Sequence, residues 1–182
     1  MKKIQITTKT GDQGRSRLFS GEQVSKTSLR LDAYGDLDEL VCILGIARHY
    51  VKKERIKDEI LSLQRMLFVV SSELATTAQK LNKLPVRIDS DHLKAFEQTV
   101  DALYQDTNIP GGFIVPGTTL ASGYLDYARA VSRRCERKAV QLFENKELTN
   151  ELIIVWLNRL SDYLYLMARF EEEVPTLVKE LK

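Results

Sequence analysis

The sequence predicts an all-α protein: a bundle of about five helices behind an irregular amino-terminal loop. Three observations predict it. From about residue 29 onward, apolar residues recur every three or four positions along long stretches. Breaks built from Gly, Pro and Asn separate those stretches. The first 28 residues are rich in Gly, Ser, Thr and basic side chains and lack helical periodicity.

Thr8-Lys9-Thr10-Gly11-Asp12-Gln13-Gly14 reads as a glycine-containing loop, and the stretch to Lys26 has room for short extended pieces. In the first helix Ala33, Leu37, Leu40, Leu44 and Ala47 form one stripe. A second helix is expected over 54–80, on Ile56, Ile60, Leu63, Leu67, Val70 and Leu74, with 82–85 breaking it. Ser90 reads as the cap of a third helix carrying Leu93, Phe96, Val100 and Leu103. Residues 108–117, with two prolines and three glycines, interrupt the chain. A fourth helix follows to about 144, with Leu120, Tyr124, Ala128, Val131, Cys135 and Leu142 as its apolar face. A fifth spans about 149–174, where Pro175 discourages continuation. The reading is one domain over 1–182: a loop over 1–28 and a bundle over 29–176.

Bulk composition excludes several classes. The chain is 43% hydrophobic and 29% charged, with 27 basic and 25 acidic residues, so it carries no global bias toward nucleic acid or membrane. No signal-peptide core or membrane-length apolar run appears, and a cytoplasmic location is expected. Cys42 and Cys135 form no CxxC pair and are expected to be reduced, buried thiols. His49 and His92 lie in charged stretches and are expected to be solvated, with no catalytic role.

Polar residues gather where a bundle needs none. Arg129, Arg133, Glu136 and Arg137 share one face of the fourth helix. A solvated face is one reading. The other is a cluster that awaits a polyanion, because guanidinium forks match phosphate oxygens. Asn158, Asp162 and Arg169 line the reverse side of the fifth helix, where Asn and Asp are poor helix formers. Either a neighbouring helix or subunit or a ligand accounts for them. Arg30, Tyr34 and Asp38 share a face of the first helix, which local ion pairing or a contact between subunits would explain. In the loop, Gly11 and Gly14 allow backbone amides close to a phosphate, Lys9 and Lys26 add charge, and Ser16 adds a hydroxyl. The loop does not fit the Walker pattern GxxxxGK[ST].

Taken together, these segments resemble a known family. The run 8–14, then Arg30, Ala33-Tyr34-Gly35 and Asp38-Glu39-Leu40, look like the opening signature of PduO-type ATP:corrinoid adenosyltransferases. Phe113-Ile114-Val115-Pro116-Gly117, the arginine-rich run 128–137, and Asn158-Arg159-Leu160-Ser161-Asp162-Tyr163-Leu164 with Ala168-Arg169 look like its later motifs, in the same order.

The resemblance implies transfer of the 5′-deoxyadenosyl group of ATP to the cobalt of cob(I)alamin, with Mg²⁺, in a homotrimer holding ATP at each subunit interface. By position, Thr8, Lys9, Thr10, Gly11, Ser16 and Lys26 would fold around the triphosphate. Arg133, Glu136, Arg137 and Asn158 would form the helical part of the ATP site. Asp38 and Arg129 would organise the interface near the corrin, and Phe113 would close over the corrin's lower face. Without the resemblance, Phe113 reads as a loop aromatic tucked into the bundle end. A cobalamin reductase or an adenosylcobalamin-dependent enzyme would be a companion. The alternative is a non-catalytic protein of the same fold that binds ATP or delivers adenosylcobalamin.

The sequence departs from the family pattern at Ser16, often Thr, and at Gln23, usually Arg. Val41-Cys42 stands for Asn-Ser, Gly117-Thr118-Thr119 for a Gly-Gly pair, and Asp126 for a usual His.

Overall fold

The structure, a computed structural model, describes residues 6–172 and 174–178. A small antiparallel hairpin comes first, β1 (Arg15–Arg17) paired with β2 (Gln23–Ser25), with Ser16 opposite Val24. Among the described residues five α-helices follow: α1 (Leu29–Tyr50), α2 (Glu54–Leu74), α3 (Ser90–Asp106), α4 (Leu120–Glu144) and α5 (Leu152–Glu171). A 3₁₀ segment, Ala78–Lys83, joins α2 to α3. No helix among the described residues is long and apolar enough to cross a membrane.

The helix stripes meet in one core. Leu37, Leu40 and Leu44 of α1, Ile56, Ile60 and Leu67 of α2, and Leu125, Cys135 and Leu142 of α4 are all buried there. From α5, Trp156, Leu160 and Leu164 join them. Trp156 stacks on Phe96 of α3 at 4.9 Å, and Tyr163 meets the same ring edge-on at 5.4 Å. α4 packs against both α1 and α5, which makes it the bundle's centre.

The helix ends correct the sequence reading in several places. α2 stops at Leu74 because Arg30 of α1 donates to the carbonyls of Leu74 and Thr76, while the Thr76 hydroxyl donates to Ser72 O at 2.7 Å. The cap of α3 is Asp89, one residue before Ser90: its carboxylate accepts from the His92 amide at 2.9 Å. The same carboxylate takes the His92 ring at 2.6 Å, so that ring is half-buried and paired rather than solvated.

α5 ends at Glu171, short of the expected 174. The Glu171 carboxylate accepts the amides of Lys52 and Lys53, just ahead of α2. On α4, Leu120 is exposed and Ala121 takes its place in the core; Thr119 and Ser122, on either side of them, close a reciprocal capping box.

The cysteines also divide. Cys135 is buried, and burial pushes its thiol up to about 12, whereas Cys42 is exposed on α1. The expectation of two buried thiols therefore fails at Cys42, whose place on α1 faces outward from the bundle. Titration of the native protein with a thiol reagent should consume one equivalent per chain, rising to two after denaturation. Two equivalents before denaturation would contradict the packing around Cys135.

Candidate functional site

Four of the five basic residues of α4 fall into two sets. Arg134 donates to Asp36 at 3.1 Å and also to Glu39, and Lys138 reaches Asp36 at 3.0 Å. These charges are neutralised along the seam with α1. Arg133 and Arg137 are exposed, and among the described residues neither makes an ion pair or a hydrogen bond. They stand one turn apart, so their guanidinium groups project from one strip of the helix. Two cations left unpaired on one strip repel each other and are available to a polyanion.

The polar face of α5 completes this strip. Asn158 Nδ2 donates to Glu136 Oε1 at 3.0 Å, across the α4–α5 seam. Asn158 Oδ1 accepts from Arg159 at 3.1 Å. This explains an asparagine in mid-helix: its amide links two helices beside Arg133 and Arg137. Arg129, one turn before Arg133, is half-buried and its Nε lies 3.3 Å from Asp126 Oδ1. A cleft of about 570 Å³ between α3, α4 and α5 is lined by Arg129, Arg133, Asp162, Tyr165, Val100 and Tyr104. Asp162 is exposed there, whereas Arg169, expected on the same face, is buried against Asp126 at 2.6 Å.

The amino-terminal loop is built as tight turns. Lys9 takes a left-handed φ of 58°, uncommon for a residue with a side chain. Its carbonyl accepts from the Asp12 amide at 3.4 Å, and that of Gly11 accepts from Gly14 at 3.2 Å. The hydroxyls of Thr8 and Thr10 lie 2.9 Å apart. A Cβ at Gly11 would stand 3.1 Å from Lys26 Nζ, so the missing side chain lets the lysine lie across the loop. Ser16 is half-buried in β1.

Beyond the loop, the hairpin is pinned to the bundle. Leu18 is buried, Ser20 Oγ accepts from the Thr77 amide at 3.2 Å, and Lys80 holds Glu22 at 2.8 Å. That lysine, helped by Ser20, keeps the Glu22 carboxyl at about 2.

The structure therefore brings Lys26 to Gly11, and Glu136 to Asn158. No hydrogen bond or ion pair among the described residues joins the loop to Arg133 or Arg137 of the same chain. Asp38 is exposed on α1 and does not pair with Arg30, which is buried two turns away.

Phe113 is 86% exposed, so it is not tucked into the bundle end. Its backbone is held by the chain's last described residues. Phe113 O accepts from the Val178 amide at 2.8 Å, the Val115 amide donates to Thr176 O at 2.8 Å, and Ile114 bridges Leu177. Sequence reasoning missed this segment. Residues 176–178 carry no motif, and only the pairing reveals their role.

Fold and site together define a helical-bundle protein that presents a cationic strip and a glycine loop suited to a polyphosphate. Residues 6–171 match the family model of the cobalamin adenosyltransferases, and the chain belongs to that family. It is 37% identical over 170 residues to a corrinoid adenosyltransferase of Citrobacter freundii, covering 93% of this chain and 96% of that one. It is 35% identical over 167 residues to the corrinoid adenosyltransferase PduO of Salmonella typhimurium, of whose length it spans 49%. Among solved structures, it superposes with a TM-score of 0.86 and 29% identity on a variant PduO-type ATP:corrinoid adenosyltransferase from Lactobacillus reuteri complexed with cobalamin and ATP. That match covers 97% of each chain.

Proposed function

We propose that the chain is a corrinoid adenosyltransferase that moves the 5′-deoxyadenosyl group of ATP to the cobalt of cob(I)alamin. The observation that carries the reading is the pair of exposed cations, Arg133 and Arg137, which have no partner among the described residues and stand beside the Asn158–Glu136 link. Family membership supports it.

Cob(I)alamin is itself the nucleophile. Its cobalt gives an electron pair to C5′ of the ribose, the C5′–O bond breaks, and its electrons leave on inorganic triphosphate. No protein side chain need attack or accept a proton. The protein positions two substrates and stabilises charge growing on the leaving triphosphate. Arg133 and Arg137 supply that stabilisation from α4, and Lys9 and Lys26 from the loop. Thr8, Thr10, Gly11 and Ser16 line the loop side, and Asn158 with Glu136 orients the nucleotide.

Among the described residues no three His, Cys, Asp or Glu side chains gather to hold a metal. That fits a Mg²⁺ carried mainly by phosphate oxygens, where it would add positive charge at the leaving group.

Among the described residues, no hydrogen bond or ion pair joins Lys9 or Lys26 of the loop to Arg133 or Arg137 of the same chain. A homotrimer that places one subunit's loop against its neighbour's α4 would complete the site, with Asp38 and Arg129 ordering the same boundary near the corrin. Phe113, projecting from its bridged loop, would wall off the lower face of the corrin and keep water from the cobalt's lower position.

The test mixes the protein anaerobically with ATP and chemically reduced cobalamin and follows the visible spectrum. Growth of the Co–C bonded product is expected. Bound ATP without that change would leave a nucleotide-binding or delivery protein instead.

Phe113→Ala should slow turnover of cob(II)alamin with reductant by roughly tenfold. Turnover of preformed cob(I)alamin should fall much less, because the wall matters most to the reduction. Equal losses in both assays would remove the wall role.

A further inference from the structure

Four charged groups alternate from the bundle interior to the cleft. Glu172 Oε1 lies 3.1 Å from Arg169 Nη2, and its Oε2 lies 3.0 Å from Arg169 Nε. Arg169 Nη2 donates to Asp126 Oδ2 at 2.6 Å, and Arg129 Nε donates to Asp126 Oδ1 at 3.3 Å. Side-chain exposure is 0% at Glu172, 1% at Arg169, 4% at Asp126 and 31% at Arg129.

Asp126 is thus a bridging carboxylate, with each oxygen committed to one arginine. Arg169 already has Glu172 and also lies over the Tyr165 ring at 5.1 Å. Within its own chain, Asp126 is the one partner of the Arg129 side chain among the described residues.

We propose that Asp126 is a positioning residue: it ties the Arg129 guanidinium to the buried Arg169–Glu172 pair and so holds it in the cleft in line with Arg133. The inference rests on the proposed function for its catalytic consequence, but the tie itself is independent of it. A carboxylate buried this deeply fixes geometry because turning it to solvent would also break its short bond to the buried Arg169. Arg129 borrows that rigidity. Its long side chain would otherwise sample many rotamers, at an entropic cost on binding. The neutral isostere weakens the tie, since hydrogen bonds to an ionised acceptor are about twice as strong as neutral ones.

The experiment has two arms. The first uses the protein without substrates and follows arginine Nε–H signals by NMR, with the Arg129 signal assigned by its loss in R129A. Protection of that proton from solvent exchange is expected in the wild type and its loss in D126N. Equal exchange in both would overturn the tie.

The second arm is a double-mutant cycle on kcat/KM. D126N should cost about tenfold in the wild-type background and less than about twofold in R129A, because the two residues act as one unit. Additive losses would overturn the positioning role. If D126N does not fold, D126E keeps the charge: retained Arg129 protection and kcat/KM within about threefold of wild type support the proposal, and loss of both overturns it. A wild-type protein that forms no Co–C bond overturns the proposed function, and the NMR arm still decides the tie.

Discussion

Arg133→Ala is expected to lower kcat/KM for adenosyl transfer by roughly 10- to 100-fold, the range for losing a hydrogen bond to a charged partner. Stability should change by no more than about 0.5 kcal/mol, because the side chain is exposed and makes no ion pair among the described residues. That separation is the diagnostic feature. A residue shaping the fold would lose both together, whereas a residue waiting for phosphate loses only the reaction. Arg133→Lys keeps the charge but not the planar fork, so it should recover part of the loss. Arg137→Ala should behave in the same way. The double variant should fall short of the product of the two, since both act on one leaving group. Steady-state kinetics with urea denaturation of the same preparations makes the comparison. Unchanged kcat/KM in Arg133→Ala would end the phosphate role.

The arginine strip shows what a sequence can and cannot say. That Arg129, Arg133 and Arg137 share a face follows from helical geometry alone. Which cations stay free does not. Arg134 stands next to Arg133 in the chain, yet Asp36 and Glu39 claim it from α1, about a hundred residues away. The same distance effect decided the end of α2. Its periodic stripe was legible, but its stop depends on Arg30 reaching Leu74 O and Thr76 O from another helix.

Helix phase was legible where the stripe was dense, as in α1 and α2. It slipped at Leu120, because the first turn of α4 has apolar residues on two sides. Asn158 and Arg169 were visible as misplaced polar residues, but their partners, Glu136 and Asp126, could only be found in three dimensions. Gly11 was legible as a loop glycine, whereas the passage of Lys26 beside it was visible only in three dimensions.

Arg30→Met should be the most destabilising of the changes considered, by about 3–5 kcal/mol. Arg30 lies in the first turn of α1, where the helix dipole disfavours a cation, and it is only 5% exposed. Burial pulls its pKa below the ordinary value, with Glu147 and Glu22 acting in the opposite direction. What keeps a charged group there is the set of carbonyls it serves: Leu74 and Thr76 at the negative end of α2, and Glu147 just after α4.

Methionine matches the arginine stem in volume but donates nothing, so those carbonyls would be left without a partner in a place water reaches poorly. A chain of this size should lose about 10 °C in Tm. The damage should also reach the loop, because Ser20 N–H donates to Ala75 O and Thr77 N–H donates to Ser20, next to the carbonyls that Arg30 holds. A weaker ATP affinity should therefore accompany the loss of stability, although Arg30 is buried away from the cationic strip. Urea melts and calorimetric ATP titrations of the same variant would separate the outcomes. A Tm within a degree or two of wild type would mean that the carbonyls find water, and that the guanidinium is not what ties α1 to the ends of α2 and α4.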